Sequence, residues 1–370
     1  MIKAIGNKGI LEVIAIFSVV MLLGFLVADY AVKTSSVYIM LNSLQSPEFV
    51  DVSYMLDAVL VLIIAMLLLK RNTGASRSAL FRALEGIVIG FSSYFVFLLV
   101  LLMALGSMFS LTTYYIMAGT AAVVVVLLKN DYPVFRDLAM ITSSMGVGLI
   151  LGFNFSFIYA VAILAAVAMY DYIGVFKTQS IVKMAGAMAS ENLAFLMSVS
   201  DLEYVPVQSV GIKDALEYEK YLERSHKLDN PRYRKAVARG RLPVLSQISL
   251  GEGDVSLPLM AIVSSFYYLS NAFITYGLLI SSILGISVTM YLLKRYKRPL
   301  PAVPPLFASI SIFIGIAFLA MHTYSLTNTT ILVSVGMVVL VVDVVAATRS
   351  RDRKRGPRQK YVPRNPYRLP

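Results

Sequence analysis

The chain has 370 residues, 58% of them hydrophobic and only 15% charged. Soluble domains are about 45–50% apolar and about 25% charged, so the composition excludes an ordinary soluble domain and points to a membrane protein. There is no cysteine, which excludes disulfides, thiolate metal sites and cysteine nucleophiles.

Apolar runs of about 17–25 residues predict ten spans, near 10–31, 54–69, 82–105, 111–128, 134–152, 154–175, 250–268, 271–293, 303–321 and 329–347. Lipid offers the backbone no hydrogen bonds, so spans are helices or closed barrels. These runs are continuously apolar and rich in Leu, Ala, Val and Met, so the expected fold is an all-α polytopic transmembrane helix bundle. The first run is read as a retained helix, not a signal peptide, because Asp29-Tyr30 follows it without a small-x-small cleavage site. Little polar sequence separates the fifth and sixth spans. The expected organisation is helices one to six over 1–175, a soluble insertion over 176–247, helices seven to ten over 248–347 and a tail over 348–370.

Within the insertion, Glu217, Glu219, Lys220, Glu223, Arg224 and Lys227 suggest a short, solvated, charge-laced helix. The run from Arg232 to Arg241 is basic and reads as lying against anionic lipid headgroups. The tail is basic, contains proline and reads as disordered. With both termini placed in the cytoplasm, every Lys and Arg except Lys33 falls on the cytoplasmic side, as the positive-inside rule requires. The net charge of +12 is thereby assigned to the membrane surface, and no nucleic-acid partner is expected.

A carboxylate inside a span is costly and marks function by default. Glu12, Asp29, Asp57 and Asp343 sit within about two turns of a span end, and Glu85 lies near the start of its span. Headgroups and water are expected to serve all five. Asp171 and Asp254 differ. Asp171 lies about one turn before the cytoplasmic end of the sixth span, and Asp254 about one turn after the cytoplasmic start of the seventh. The two share depth and side, so they can meet across a helix interface. Close carboxylates cannot both ionise easily and share a proton. One can then take a proton from water while the other polarises a peptide carbonyl. Such chemistry needs no metal or cofactor, and suits a chain whose only imidazoles are His226 and His322. The bland reading of Asp171 is an interfacial helix-end residue. That of Asp254 is the N-cap of a helix after a Gly-rich loop.

Asp254 closes Gly251-Glu252-Gly253-Asp254, where glycines let helices approach closely. Pro258, four residues on, leaves the Asp254 carbonyl without its helical partner. At the start of the ninth span, Arg298-Pro299-Leu300-Pro301-Ala302-Val303-Pro304-Pro305-Leu306 reads either as a proline-capped helix start or as an extended edge to which an unwound substrate adds by strand pairing.

Tyr170-Asp171, Gly251-Glu252-Gly253-Asp254 and Pro301-Ala302-Val303, in that order and in those spans, resemble the presenilin and signal peptide peptidase family of intramembrane aspartyl proteases. That family carries Tyr-Asp, Gly-x-Gly-Asp and Pro-Ala-Leu in its sixth, seventh and ninth helices. The resemblance implies that Asp171 and Asp254 are the catalytic pair, with Tyr170, Gly251, Gly253, Pro301, Ala302 and Val303 shaping the site. It implies transmembrane peptide or protein substrates drawn from the lipid, in the cell membrane, and leaves accessory subunits open. The stretch Leu250–Pro258 is similar to the signal peptide peptidase branch, whereas the orientation is that of presenilin, a mixture expected of a microbial, archaeal homologue. Val303 replaces the family's Leu. Glu252 puts a charge beside Asp254, or a salt bridge to the basic loop. A tenth span follows the family's nine.

Other classes use similar residues. A proton- or cation-coupled secondary transporter also employs intramembrane carboxylates and broken helices, but no two-fold repeat of hydropathy is visible and both Asp lie near one face. A prepilin-type peptidase shares Gly-x-Gly-Asp but gives the Pro-Ala-Val segment no role. Gly90-Phe91-Ser92-Ser93 lacks the final glycine of a rhomboid-type serine site.

Overall fold

The computed structural model describes residues 7–34, 75–106, 108–178, 196–206, 241–296, 300–320 and 326–349. The span predicted near 54–69, the charge-laced helix, the basic run from 232 to 240 and the tail lie outside them. Among the described residues the α-helices are α1 (Asn7–Lys33), α2 (Ala75–Leu105), α3 (Leu111–Leu128), α4 (Pro133–Asn154), α5 (Phe157–Tyr172), α6 (Glu252–Ser264), α7 (Ala272–Tyr296), α8 (Val303–Ala320) and α9 (Leu326–Arg349). Seven of these elements contain stretches long and apolar enough to cross a membrane. The chain is a polytopic helical membrane protein.

Nine of the predicted spans fall on helices among the described residues, two of them with a change of shape. The sixth is α5 prolonged by a π-helical turn, Ile173–Lys177. The seventh is α6 prolonged by a second π-helical turn, Ser265–Leu269. Together α6 and its turn reach about 27 Å at 1.5 Å per residue, close to the hydrocarbon thickness. α4 and α5 are separate helices because Phe155 and Ser156 are extended (ψ 132° and 157°).

The insertion was expected as solvated loop and helix, and here the structure differs. β1 (Leu196–Pro206) and β2 (Arg241–Gly251) form an antiparallel two-stranded sheet, with Leu196 opposite Gly251 and Pro206 opposite Arg241. Strand pairing satisfies the backbone groups of both segments. β2 runs without a break into α6, so the sheet reaches to within three residues of Asp254.

α6 is the central helix. Leu259, Met260, Ala261, Ile262 and Val263 are all fully buried, as befits a helix that is apolar on every side. Glycines bring its neighbours close. A Cβ on Gly148 would stand 2.9 Å from the Leu259 Cβ, and one on Gly152 only 2.6 Å from the Val263 Cβ. Gly148-x-x-x-Gly152 is therefore a small-residue seam on α4 into which α6 fits. On the other flank Gly24 of α1 admits the tips of Leu259.

Candidate active site

The buried stripe of α5, Phe157, Ala160, Leu164, Ala168 and Asp171, repeats at three and four residues, the spacing of one helix face. Asp171 is thus the polar end of an apolar stripe, 9% exposed. Its Oδ2 accepts the N–H of Val303 at 3.3 Å, and the N–H of Ala302 also reaches it. The sequence explains why. Val303 opens α8, and Pro304 and Pro305 in the first turn have no N–H to offer. The few free donors of this helix end converge on one carboxylate, where the helix dipole also favours negative charge. Of the segment expected to be extended, Leu300, Pro301 and Ala302 are non-helical, Val303 to Leu306 already belong to α8, and Arg298 and Pro299 lie outside the described residues.

Asp254 lies three residues into α6, and its Oδ2 accepts the N–H of Gly251 at 3.0 Å. It is therefore the third residue of the helix and reaches back to the N-cap, which is Gly251; the N-cap role considered for Asp254 falls to that glycine. A Cβ on Gly251 would meet the Asp254 Oδ2 at 3.2 Å, so this glycine leaves room for the carboxylate, while a Cβ on Gly253 would meet nothing within 4 Å. Gly253 is exposed and Asp254 partly so. The Asp171 and Asp254 carboxylates are near enough for their charges to interact. Two acids from adjacent helices thus lie within electrostatic reach of each other, Asp171 against the Pro301-Ala302-Val303 turn and Asp254 beside the exposed Gly253. Tyr170, the neighbour of Asp171 in the chain, is 53% exposed.

Glu252 reaches α4, and the basic run from 232 to 240 to which it was expected to bond lies outside the described residues. The Glu252 Oε1 accepts a hydrogen bond from the Ser143 hydroxyl on α4, and the Ser143 Oγ in turn lies 2.9 Å from the Ser92 Oγ on α2. Gly146 makes room for this crossing, since a Cβ there would strike the Ser92 carbonyl oxygen. Glu85 is not served by headgroups: it is fully buried and paired with Lys129 at 2.5 Å, itself 4% exposed. Asp29 pairs with the exposed Lys33 at 2.8 Å. Asp57, His226 and His322 lie outside the described residues. Among the described residues, no group of three or more His, Asp or Glu is arranged to hold a metal ion.

Sequence reading missed Ser143 and the Gly148/Gly152 seam. The seam was signalled by its four-residue spacing; Ser143 carried no signal beyond being polar within a span. Asp343, expected at the interface, is instead 4% exposed.

A helical membrane bundle with two aspartates in electrostatic reach of each other, one in the first turn of α6 and one against the first turn of α8, marks a class of intramembrane protein built around paired carboxylates. Comparison with known proteins makes the assignment specific. Residues 14–323 match the family described as signal-peptide peptidase, presenilin aspartyl protease, and the chain belongs to that family. Among solved structures it is similar to one of a presenilin family intramembrane aspartate protease in a C222 space group, at 17% identity, 83% coverage of this chain, 95% of that chain and a TM-score of 0.48. No curated protein sequence matches it.

Proposed function

We propose that the chain is an intramembrane aspartyl endopeptidase with Asp171 and Asp254 as its catalytic pair. The observation that carries this reading is that the two carboxylates, from different helices, lie within electrostatic reach of each other, with Asp171 held at the first turn of α8. The ionised member takes a proton from a water molecule as its oxygen attacks the peptide carbonyl. The protonated member gives its proton to the carbonyl oxygen. Collapse of the resulting diol breaks the C–N bond: the departing amine collects the proton taken from water, and one diol hydroxyl returns its proton to the second aspartate. Gly251 leaves space for Asp254, Gly253 lies open towards substrate, and Pro301, Ala302 and Val303 fix Asp171.

Substrates in this reading are transmembrane segments of membrane proteins or signal peptides, which enter laterally and unwind near the cytoplasmic face. An unwound strand has a template in the β1–β2 sheet, whose outer edges are free of a third strand among the described residues. Edge addition would lead it towards Asp254. In this reading both termini and the 176–247 insertion lie in the cytoplasm, the side to which basic residues are sorted.

The test is incubation of the purified protein in liposomes with a set of single-span peptides in H2(18)O, followed by mass spectrometry. The expected result is cleavage with one heavy oxygen in the new carboxyl group. Intact peptides, together with ion-driven solute uptake by the same liposomes, would overturn the reading in favour of a transporter.

A further inference from the structure

α9 begins beyond the residues that match the family, 14–323. It packs closely along α8: a Cβ on Gly336 would stand 2.8 Å from Ile312 Cγ1 and 2.9 Å from the Ala308 carbonyl oxygen. The chain then runs on from Gly336 to Asp343, seven residues or about 10 Å along the helix, towards the N-terminal turn of α8. There Asp343 is 4% exposed, and its Oδ1 is enclosed without a hydrogen-bond partner among the described residues. α8 carries no ionisable side chain. Of the titratable groups at the end of α7, Arg295 donates to the Tyr291 hydroxyl, Tyr291, Lys294 and Arg295 are exposed, and Tyr296 is half-buried. The one acid within electrostatic reach of Asp343 among the described residues is Asp171 of α5, which is itself within reach of Asp254 of α6.

A buried carboxyl oxygen with no partner at membrane depth is costly, and an apolar residue would be the cheaper choice here. Groups kept at such cost cluster at functional sites. We propose that Asp343 is a third carboxyl group of the active site, a positioning residue supplied by the tenth span that comes to share a proton with Asp171 and to hold its orientation when substrate is bound. Asp171 is then fixed from two sides, by the backbone N–H groups that open α8 and by α9. The extra span is in this account a part of the enzyme and not an appendage to it. The proposal rests on Asp171 being one of the catalytic pair.

Asp343→Leu and Asp343→Asn test it. Leu fills the same space without the unpaired oxygens, so thermal stability in detergent should rise. At the same time kcat on a cleavable single-span peptide should fall by about tenfold or more with KM little changed. Asn retains a donor but cannot exchange a proton, and should fall between Leu and wild type. Unchanged kcat in Asp343→Leu would overturn the proposal, and so would a drop in stability that accounts for the lost activity. A second measurement needs no activity. Because the chain has no cysteine, Asp171→Cys/Asp343→Cys introduces the sole thiols, and a short bifunctional thiol reagent should join them. The control pair Asp171→Cys/Met337→Cys, whose second residue is 49% exposed, should stay unlinked. Failure of the first pair to link overturns the juxtaposition. If wild type cleaves nothing while the pair links, the protease reading fails and the geometry stands. If wild type is active and Asp343→Leu is unaffected, the protease reading stands and the role given to Asp343 fails.

Discussion

Replacing Gly152 by alanine adds one methyl group to α4, a helix that carries no proposed catalytic residue, and it should damage both fold and activity. The added Cβ would lie 2.6 Å from the Val263 Cβ, 2.8 Å from its Cγ1 and 3.0 Å from the Met260 carbonyl oxygen. Ordinary contact is about 3.5–4 Å, and two of these obstacles are a Cβ and a backbone oxygen that no rotamer change can move. α4 and α6 must therefore separate by roughly 1 Å at a cost of about 1–3 kcal/mol. Since α6 carries Asp254, a shift of that size is expected to lower kcat/KM by up to about 100-fold. Gly119→Ala is the internal control. Nothing lies within 4 Å of its Cβ, so the substitution should leave activity intact and gain up to about 0.5–1 kcal/mol of helix stability. Thermal unfolding in detergent and peptide cleavage by the same preparations measure both. A Gly152→Ala protein as stable and active as Gly119→Ala would refute the claim that α6 is seated by this seam.

Other substitutions separate positioning from folding. Gly251→Ala crowds the Asp254 Oδ2 at 3.2 Å and should lower kcat by roughly tenfold with KM unchanged, whereas Gly253→Ala, facing open space, should act on KM; initial-rate kinetics with a single peptide distinguish them, and identical profiles would contradict the assigned geometry. Glu85→Ala strands the buried Lys129 ammonium and should cost about 3–5 kcal/mol, read as a fall in unfolding temperature. Glu85→Leu/Lys129→Met should recover most of that loss, and a double variant as unstable as the single would show that the pair contributes more than mutual neutralisation. Ser143→Ala removes the hydroxyl that Glu252 accepts and leaves a partly buried carboxylate short of a bond; a loss of about 1–3 kcal/mol is expected in the same assay.

The spans were legible because the thickness of the hydrocarbon layer fixes the length of each apolar run, and neither packing nor long-range contact alters that requirement. Asp171 and Asp254 stood out together for a related reason: the alternation of spans fixes depth and side, and depth was enough to bring two acids to one level. What failed to show were contacts between distant segments. β1 and β2 each hold a proline and several polar residues, and they pair across more than thirty intervening residues, so neither declares itself as a strand alone. Glu85 and Asp343 were read by distance from a span end, which measures depth but not which way a side chain turns; both turn inward. For Glu85 the missing knowledge was Lys129, brought alongside by the packing of α3 on α2. For Asp343 it was the packing of α9 on α8 through Gly336, which sequence spacing does not reveal.

The central claim is that Asp171 and Asp254 act as one catalytic unit, and single Asp→Asn substitutions test it most directly. Asp171→Asn and Asp254→Asn keep side-chain size and remove only the ability to exchange a proton. The account predicts that wild type cleaves a single-span peptide in liposomes at a defined bond, and that each variant, folded to the same unfolding temperature or higher, shows no product by mass spectrometry. Cleavage at the wild-type rate and position by either variant would remove that aspartate from the chemistry and contradict the account.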